Sequence, residues 1–186
     1  MPPTDAHSPI DYDFLDEILK GAKNKSELHK LIVNTPFNQY KLQTTFLFLG
    51  IIVLLLVDES KQWVERVALS DTELAQRTVE VSPLPFEQIK IRLNDKDNIV
   101  CKAIKTNSMQ DTTDWKTLFT PTLNAKQARI NQANAGIAYS AVYPLKANSG
   151  GALIYSYFQY REMINEVQID FMEQYTKYVN EALKLL

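Results

Sequence analysis

The sequence is poor in the residues that build metal cages and redox centres. Its 186 residues hold one cysteine, Cys101, and two histidines, His7 and His29. A lone cysteine closes no internal disulfide, which fits a reducing cytoplasm. It also leaves no two-thiol redox cycle, and a zinc site would need nearly every Cys and His to converge on one point. Both histidines lie near the N-terminus, so a Ser–His or Cys–His nucleophilic couple is not expected. The phosphate-binding glycine–lysine loop, the nucleophile elbow and the His-Glu-x-x-His zinc helix are all missing. Asp95 and Asp97 form a carboxylate pair, but in a polar turn that reads as solvated surface. The expectation is a protein that is not an enzyme and uses no metal and no cofactor.

Charge of neither sign dominates: 20 basic residues stand against 22 acidic ones, a net charge of -2. With no dense basic stripe, nucleic acid and anionic membrane are not favoured partners. Residues 1–11 lack the basic and apolar stretches of a signal peptide and read as a flexible leader to one domain over 12–186. No apolar run is long enough for a bilayer, which takes about 20 residues. The longest, Phe46 to Val57, has Gly50 inside it and is β-branched in its second half. It reads as a buried central strand.

Hydrophobic residues make up 45% of the chain and charged residues 23%, the balance of a globular protein. Phe14, Leu15, Ile18 and Leu19 predict a helix over Tyr12 to Lys20, ended by Gly21. Asn24 and Glu27 look like the start of a second helix, faced by Leu28, Leu31, Ile32 and Val33 and stopped at Thr35-Pro36. Residues 37–45 fit either more helix or an approach to a sheet. Gly50 to Val57 is a strand, and Trp63 to Leu69 a hairpin partner with one wet face. That partner carries Val64, Arg66 and Ala68 on one side, Trp63, Glu65, Val67 and Leu69 on the other. A helix-like stretch, Asp71 to Gln76, precedes a strand-like Thr78 to Val81, and Pro83 and Pro85 break the chain. Phe86 to Leu93 and Asn98 to Lys105 are short helix candidates. Thr106 to Ala135 reads as loop-rich, with helix propensity from Ala125 onward. Ile137 to Leu145 and Gly151 to Phe158 form the strongest hairpin. A long helix over about 159–186 closes an α+β layout around one mostly antiparallel sheet.

Three pieces of this order resemble the GAF family of small-molecule sensing domains. Leu49 to Glu59 is similar to the family's opening strand and acidic turn. Val100 to Asn107, followed by Thr113-Asp114-Trp115, is similar to its helix-then-loop passage. Gly136 to Leu145 with Gly150 to Ile154 is similar to its closing hairpin. Together they reach across about residues 25–186. The resemblance implies a GAF-like (PAS-related) central antiparallel sheet, helices on one side able to dimerise, and a ligand pocket on the other.

The expected pocket gathers Asp114, Trp115 and Phe119, beside Asp111, with Tyr139, Tyr143 and Tyr155 from the closing hairpin. Aromatic faces and a few polar groups suit a small organic ligand. Alternation lets only one tyrosine set face that pocket, and the competing reading has Trp115 sealing the loop and Asp114 capping a turn. A bilin thioether is not expected, because Cys101 precedes Asp114 and is followed by Lys102. Haem lacks an axial histidine here, the family's cyclic-nucleotide signature is absent, and its methionine-sulfoxide reductases need more cysteines. On the last helix, Ile164, Val167, Phe171, Tyr175, Tyr178, Ala182 and Leu185 form a near-heptad stripe expected to hold a homodimer. Met172, Val179, Leu183 and Leu186 lie beside it, and the alternative is one amphipathic helix packed on its own domain. The implied role is a sensory domain that binds a small molecule and signals through its helices to an output partner. The alternative is a ligand-free dimerisation scaffold.

Overall fold

The structure, a computed structural model, describes residues 10–39 and 47–186. Residues 1–9 of the expected leader, and residues 40–46, lie outside that description. The last two leader residues belong to the fold: Ile10 is buried, and the Asp11 carboxylate accepts from the Phe14 N–H at 3.0 Å. Asp11 thereby caps α1 (Tyr12–Lys20).

Helix α2 (Lys25–Gln39) runs through Pro36 instead of stopping there. Proline removes the N–H that would bond the carbonyl four residues back. That carbonyl, Ile32 O, instead accepts from the Tyr175 hydroxyl at 2.7 Å. A distant side chain therefore repairs the break that local sequence predicts.

Strands β1 (Leu49–Val57) and β2 (Trp63–Leu69) form a hairpin whose turn is held by Asp58, which accepts from the Gln62 and Trp63 N–H groups. Helix α3 (Glu73–Val81) absorbs the residues expected as strand, Thr78 to Val81. Thr72 caps it, and Ala75 and Thr78 are its buried face, so the capping and packing outweigh the β-branched composition. The expected helix over Phe86 to Leu93 is a single 3-10 turn, Phe86–Gln88, leading into edge strand β3 (Lys90–Arg92).

Helix α4 (Ile99–Thr106) starts at Asn98, a fully buried cap. The Asn98 oxygen accepts from Val100 N–H at 2.9 Å, while its amide donates to Leu118 O and Thr120 O. The loop-rich middle contains β4 (Gln110–Thr112), α5 (Lys116–Phe119) and α6 (Ala125–Ala135). Strands β5 (Tyr139–Leu145) and β6 (Gly151–Tyr157) follow as predicted. Gly151 is required by close approach, since a Cβ there would lie 2.3 Å from Leu55 O. Helix α7 (Glu166–Leu183) is shorter than the predicted 159–186 and starts at an Asn165–Gln168 capping box.

The six strands form one antiparallel sheet in the order β3-β2-β1-β6-β5-β4. Each sheet face buries its own core. Helices α1, α2 and α7 cover one, packed on Leu54, Tyr139, Tyr155 and Tyr157. The other carries Leu55, Val64, Trp115 and Phe119 beneath the segments that link the strands.

The expected dimer stripe is largely consumed inside the chain. Phe171, Tyr175 and Ala182 are buried on the sheet, and Ile164 and Tyr178 pack partly against the same core. Tyr178 stacks on Tyr12 with ring centroids 6.0 Å apart. Only Val167 and Leu185 of the stripe are exposed. The apolar face is wide because it covers a sheet and two helices.

Candidate functional site

The site begins with a slip in strand register. Val57 pairs with Val64, Leu56 with Glu65 and Leu55 with Arg66, but Leu54 then pairs with Ala68. The unpaired Val67 is a β-bulge, a device that re-aims neighbouring side chains. It separates residues that alternation puts together: Ala68 joins the helix-covered face, whereas Arg66 stays with Leu55 and Val64 on the other.

On that face Arg66 reaches beneath the segment linking α3 to β3. Its guanidinium carbon lies 4.2 Å from the centroid of Phe86 and 5.3 Å from that of Phe119. Cation–π attraction to both rings therefore holds it in place. No described residue supplies a hydrogen bond or an ion pair to this cation, and its Nε is buried without a partner. Burial pushes its pKa down to about 9, with the Glu87 carboxylate opposing the shift.

Asn131 completes the polar part. It lies on the buried Ala128, Asn131, Ala135 stripe of α6, which packs along α3. Asn131 is 4% exposed, and its Oδ1 is buried without a partner. Arg66 and Asn131 line one small cavity with Trp115, Phe119, Phe86 and Leu123. Its volume is about 20 Å³, room for roughly one water. Two unpaired polar groups at one small cavity are uncommon, because such groups cost about 1–3 kcal/mol each when left unsatisfied.

The six residues expected to bind ligand divide between the faces. Trp115 and Phe119 line the cavity and meet edge to face, 5.3 Å between centroids. The Trp115 indole N–H donates to Ser140 Oγ at 2.9 Å, and Ser140 shares a 2.8 Å bond with Ser156. Asp114 is committed elsewhere. It pairs with Arg129 at 2.7 Å and accepts from the Lys116 N–H at the start of α5. The Arg129 guanidinium holds its carboxyl below the usual carboxylate range.

Tyr139, Tyr143 and Tyr155 alternate onto the opposite face and do not meet Trp115. Tyr155 shares a 2.8 Å bond with Thr176 on α7. Tyr139 donates to Asp111, which is bridged to Arg161 at 2.7 Å. Burial, with Glu173 and Asp111 nearby, pushes the Tyr143 hydroxyl up to about 12. Their period-two spacing made one cluster of these tyrosines, but the sheet stands between them and the cavity.

Sequence reasoning missed Arg66 and Asn131, and each left a signal. Arg66 stands between Val64 and Ala68 on a face that is otherwise apolar. Asn131 interrupts a row of alanines at helical spacing.

A second concavity, of about 810 Å³, opens beside α4. It gathers Lys61, Arg92, Lys96, Lys102 and Lys105, cations scattered in sequence, around Asp95. All five cations are exposed. Cys101 at its floor directs Sγ to Arg92 O at 3.2 Å, and burial pushes the thiol up to about 11. A neutral, hydrogen-bonded thiol is a poor nucleophile. Among the described residues no group of three or more His, Cys, Asp or Glu could hold a metal ion. None of the described helices is long and apolar enough to cross a membrane.

The sequence matches no protein-family model and no curated protein. The fold, by contrast, is similar to many solved GAF domains. One is the GAF domain of an Acinetobacter phosphoenolpyruvate-protein phosphotransferase, at TM-score 0.60 and 9% identity, covering 92% of this chain and 89% of that one. The GAF domain of cyanobacteriochrome TePixJ aligns at TM-score 0.56 and 16% identity over 98% and 100% of the two chains. That of a Bacillus halodurans two-component sensor histidine kinase aligns at 0.54 and 12%, over 81% and 92%. The chain has the GAF fold, and at these identities the likeness speaks for fold alone.

Proposed function

We propose that this chain is a sensory or regulatory domain, not an enzyme, that takes up a small molecule at the Arg66–Asn131 cavity. The observation that carries the reading is an arginine clasped by Phe86 and Phe119 with no counter-ion, at a cavity that also holds an unpaired amide. Binding sites combine such apolar walls with a few convergent polar groups. Trp115 and Phe119 form the wall in this reading, while Asp114 acts only by fixing their loop. Nearby groups offer no activated nucleophile and no acid–base pair, which favours binding over catalysis.

The signal leaves by the helices. A ligand that needs more than about one water's volume must move α3, α6 or the segment between α3 and β3, and such a shift counts only as far as the ligand prefers one state. Exposed Val167 and Ile169 in the first turn of α7, and Leu185 just past its end, would meet a second copy or an output partner.

A thermal-shift panel of nucleotides, amino acids, short fatty acids and aromatic metabolites tests the reading. A ligand at 100 times its Kd adds about 2.7 kcal/mol of stability. A response in wild type that disappears in Trp115→Ala supports sensing at this cavity. No response across the panel, with dimers in sedimentation that Val167→Glu dissociates, supports the scaffold instead. The small size of the cavity, already filled by three aromatic rings, is what favours that second reading.

A further inference from the structure

We infer that the ligand of this cavity is a small organic acid, its carboxylate paired with Arg66 and its apolar body seated against Phe86, Phe119 and Trp115. The inference rests on the sensing role proposed above and adds the chemistry of what is sensed.

Arg66 is half-buried and its Nε is buried without a hydrogen-bond partner, an arrangement that a paired or hydrogen-bonded guanidinium would improve. Here the guanidinium carbon lies over the Phe86 and Phe119 rings, a contact that gives its N–H donors no hydrogen-bond acceptor. The planar fork of N–H donors matches the two oxygens of a carboxylate. Neutral ligands would leave the positive charge uncompensated, and cationic ones would add to it. Glu87, the one carboxylate acting on Arg66, is exposed and makes no ion pair with it.

Asn131 narrows the class further. Its orphan is an acceptor, Oδ1, so the matching ligand carries an O–H or N–H besides its carboxylate. The walls decide against large polyanions. A di- or triphosphate would bring more charge than one arginine offsets, into a lining whose Thr78 and Ser82 hydroxyls already donate to the Ala75 and Leu84 carbonyls. The outer basic groove is the chemically sensible place for such anions, and it competes with the cavity in any binding experiment on acids.

The test compares acids with their own neutral amides on the full chain. The probes are butyrate, hexanoate, benzoate, phenylacetate and 3-phenyllactate, each beside its primary amide, with benzylamine as the cation. Binding is followed by melting temperature and by Trp115 fluorescence in a Trp63→Phe background, which silences the other tryptophan. The expected result is that at least one acid binds ten times or more tighter than its amide, with the hydroxy acid 3-phenyllactate ahead of phenylacetate. Arg66→Gln abolishes that preference, and Arg66→Lys restores only part of it. Should Arg66→Gln fail to fold, Asn131→Asp keeps the arginine and sets a competing carboxylate in the cavity, and acid binding again falls tenfold or more.

Three results overturn the inference. Amides or benzylamine that perturb Trp115 as well as the acids do would refute the acid class while leaving the sensing reading intact. Acids that raise the melting temperature equally in Arg66→Gln, and lose the effect in Lys96→Ala/Lys102→Ala, would move the site to the outer groove. Silence of both readouts across all probes and across the wider panel would sink the inference together with the reading it rests on.

Discussion

The two faces of the sheet are built from the same strands and finished in different ways. On the face covered by α1, α2 and α7, polar groups find each other: Tyr155 bonds Thr176, and Tyr175 bonds the carbonyl that Pro36 leaves free. Tyr157 Oη and Asp16 Oδ1, apart from one another, are also buried there without a partner, although the other Asp16 oxygen is paired with Lys20. On the other face the unpaired groups are a cation and an amide at one cavity. The difference teaches how a fold divides its labour. One face uses its long-range hydrogen bonds to tie its helices to the sheet and to one another, and the other brings its two unpaired groups together at one cavity, as sites that trade stability for function do.

The largest effect should come from emptying the closed face. Phe171→Ala removes a ring in contact with Tyr155 and Tyr175 and should cost about 3–5 kcal/mol in urea unfolding. Because Phe171 is internal, this loss should not depend on protein concentration. A concentration-dependent loss would return the residue to a dimer interface. Tyr175→Phe keeps the ring and removes only the hydroxyl, leaving Ile32 O without its donor. It should cost about 1–3 kcal/mol, and Pro36→Ala in the same background should recover part of it by restoring the helical N–H.

On the open face the sign reverses. Arg66→Leu removes a cation with no counter-ion, and differential scanning calorimetry at neutral pH should find the variant more stable by about 1 kcal/mol. The pH dependence follows. Burial lowers this arginine from its ordinary value to about 9, so above that pH the unfolded chain binds more protons and stability rises with pH. Below about pH 9 the penalty is present in full, and above it the penalty is progressively relieved. The raised tyrosines act with the opposite sign above about pH 10, but equally in both proteins. The gap between Arg66→Leu and wild type should therefore narrow from pH 8 to pH 10.5. A gap that stays constant would mean the cation is hydrated after all.

Much of the fold was legible because local and tertiary preferences agree over most of the chain. Leu49–Val57 is apolar throughout because it is covered on both faces. The closing hairpin alternates, and the helix expected over Asn98 to Lys105 is α4, shifted by one residue with Asn98 as its cap. The misreadings fall where a distant contact outweighs a local preference. Tyr175 lets α2 pass Pro36, and Thr72 with the packing of Ala75 and Thr78 makes helix of β-branched residues. The site was half legible for the same reason. Trp115 and Phe119 stand out as bulky aromatics in a polar loop. A single bulge at Val67 decides which way Arg66 points, and no periodicity argument finds a bulge. The tyrosines were drawn to the site because period two states that residues share a face without saying which face.

The smallest effect tests the boundary of the open face. Asp114 and Arg129 form a pair at its rim, with side chains 35% and 58% exposed. A pair so well solvated is worth about 0–1 kcal/mol. The carboxylate, held below its usual range by Arg129, contributes its stability above the unfolded value near pH 4 and loses it as pH falls. Asp114→Asn should thus shift the melting temperature by a degree or two at pH 7 and by less at pH 3. It should leave acid binding unchanged, because Asp114 fixes the loop from outside and does not line the cavity. If this exchange instead shifts binding tenfold at constant stability, the carboxylate belongs to the site, and the division between rim and cavity must be drawn further out.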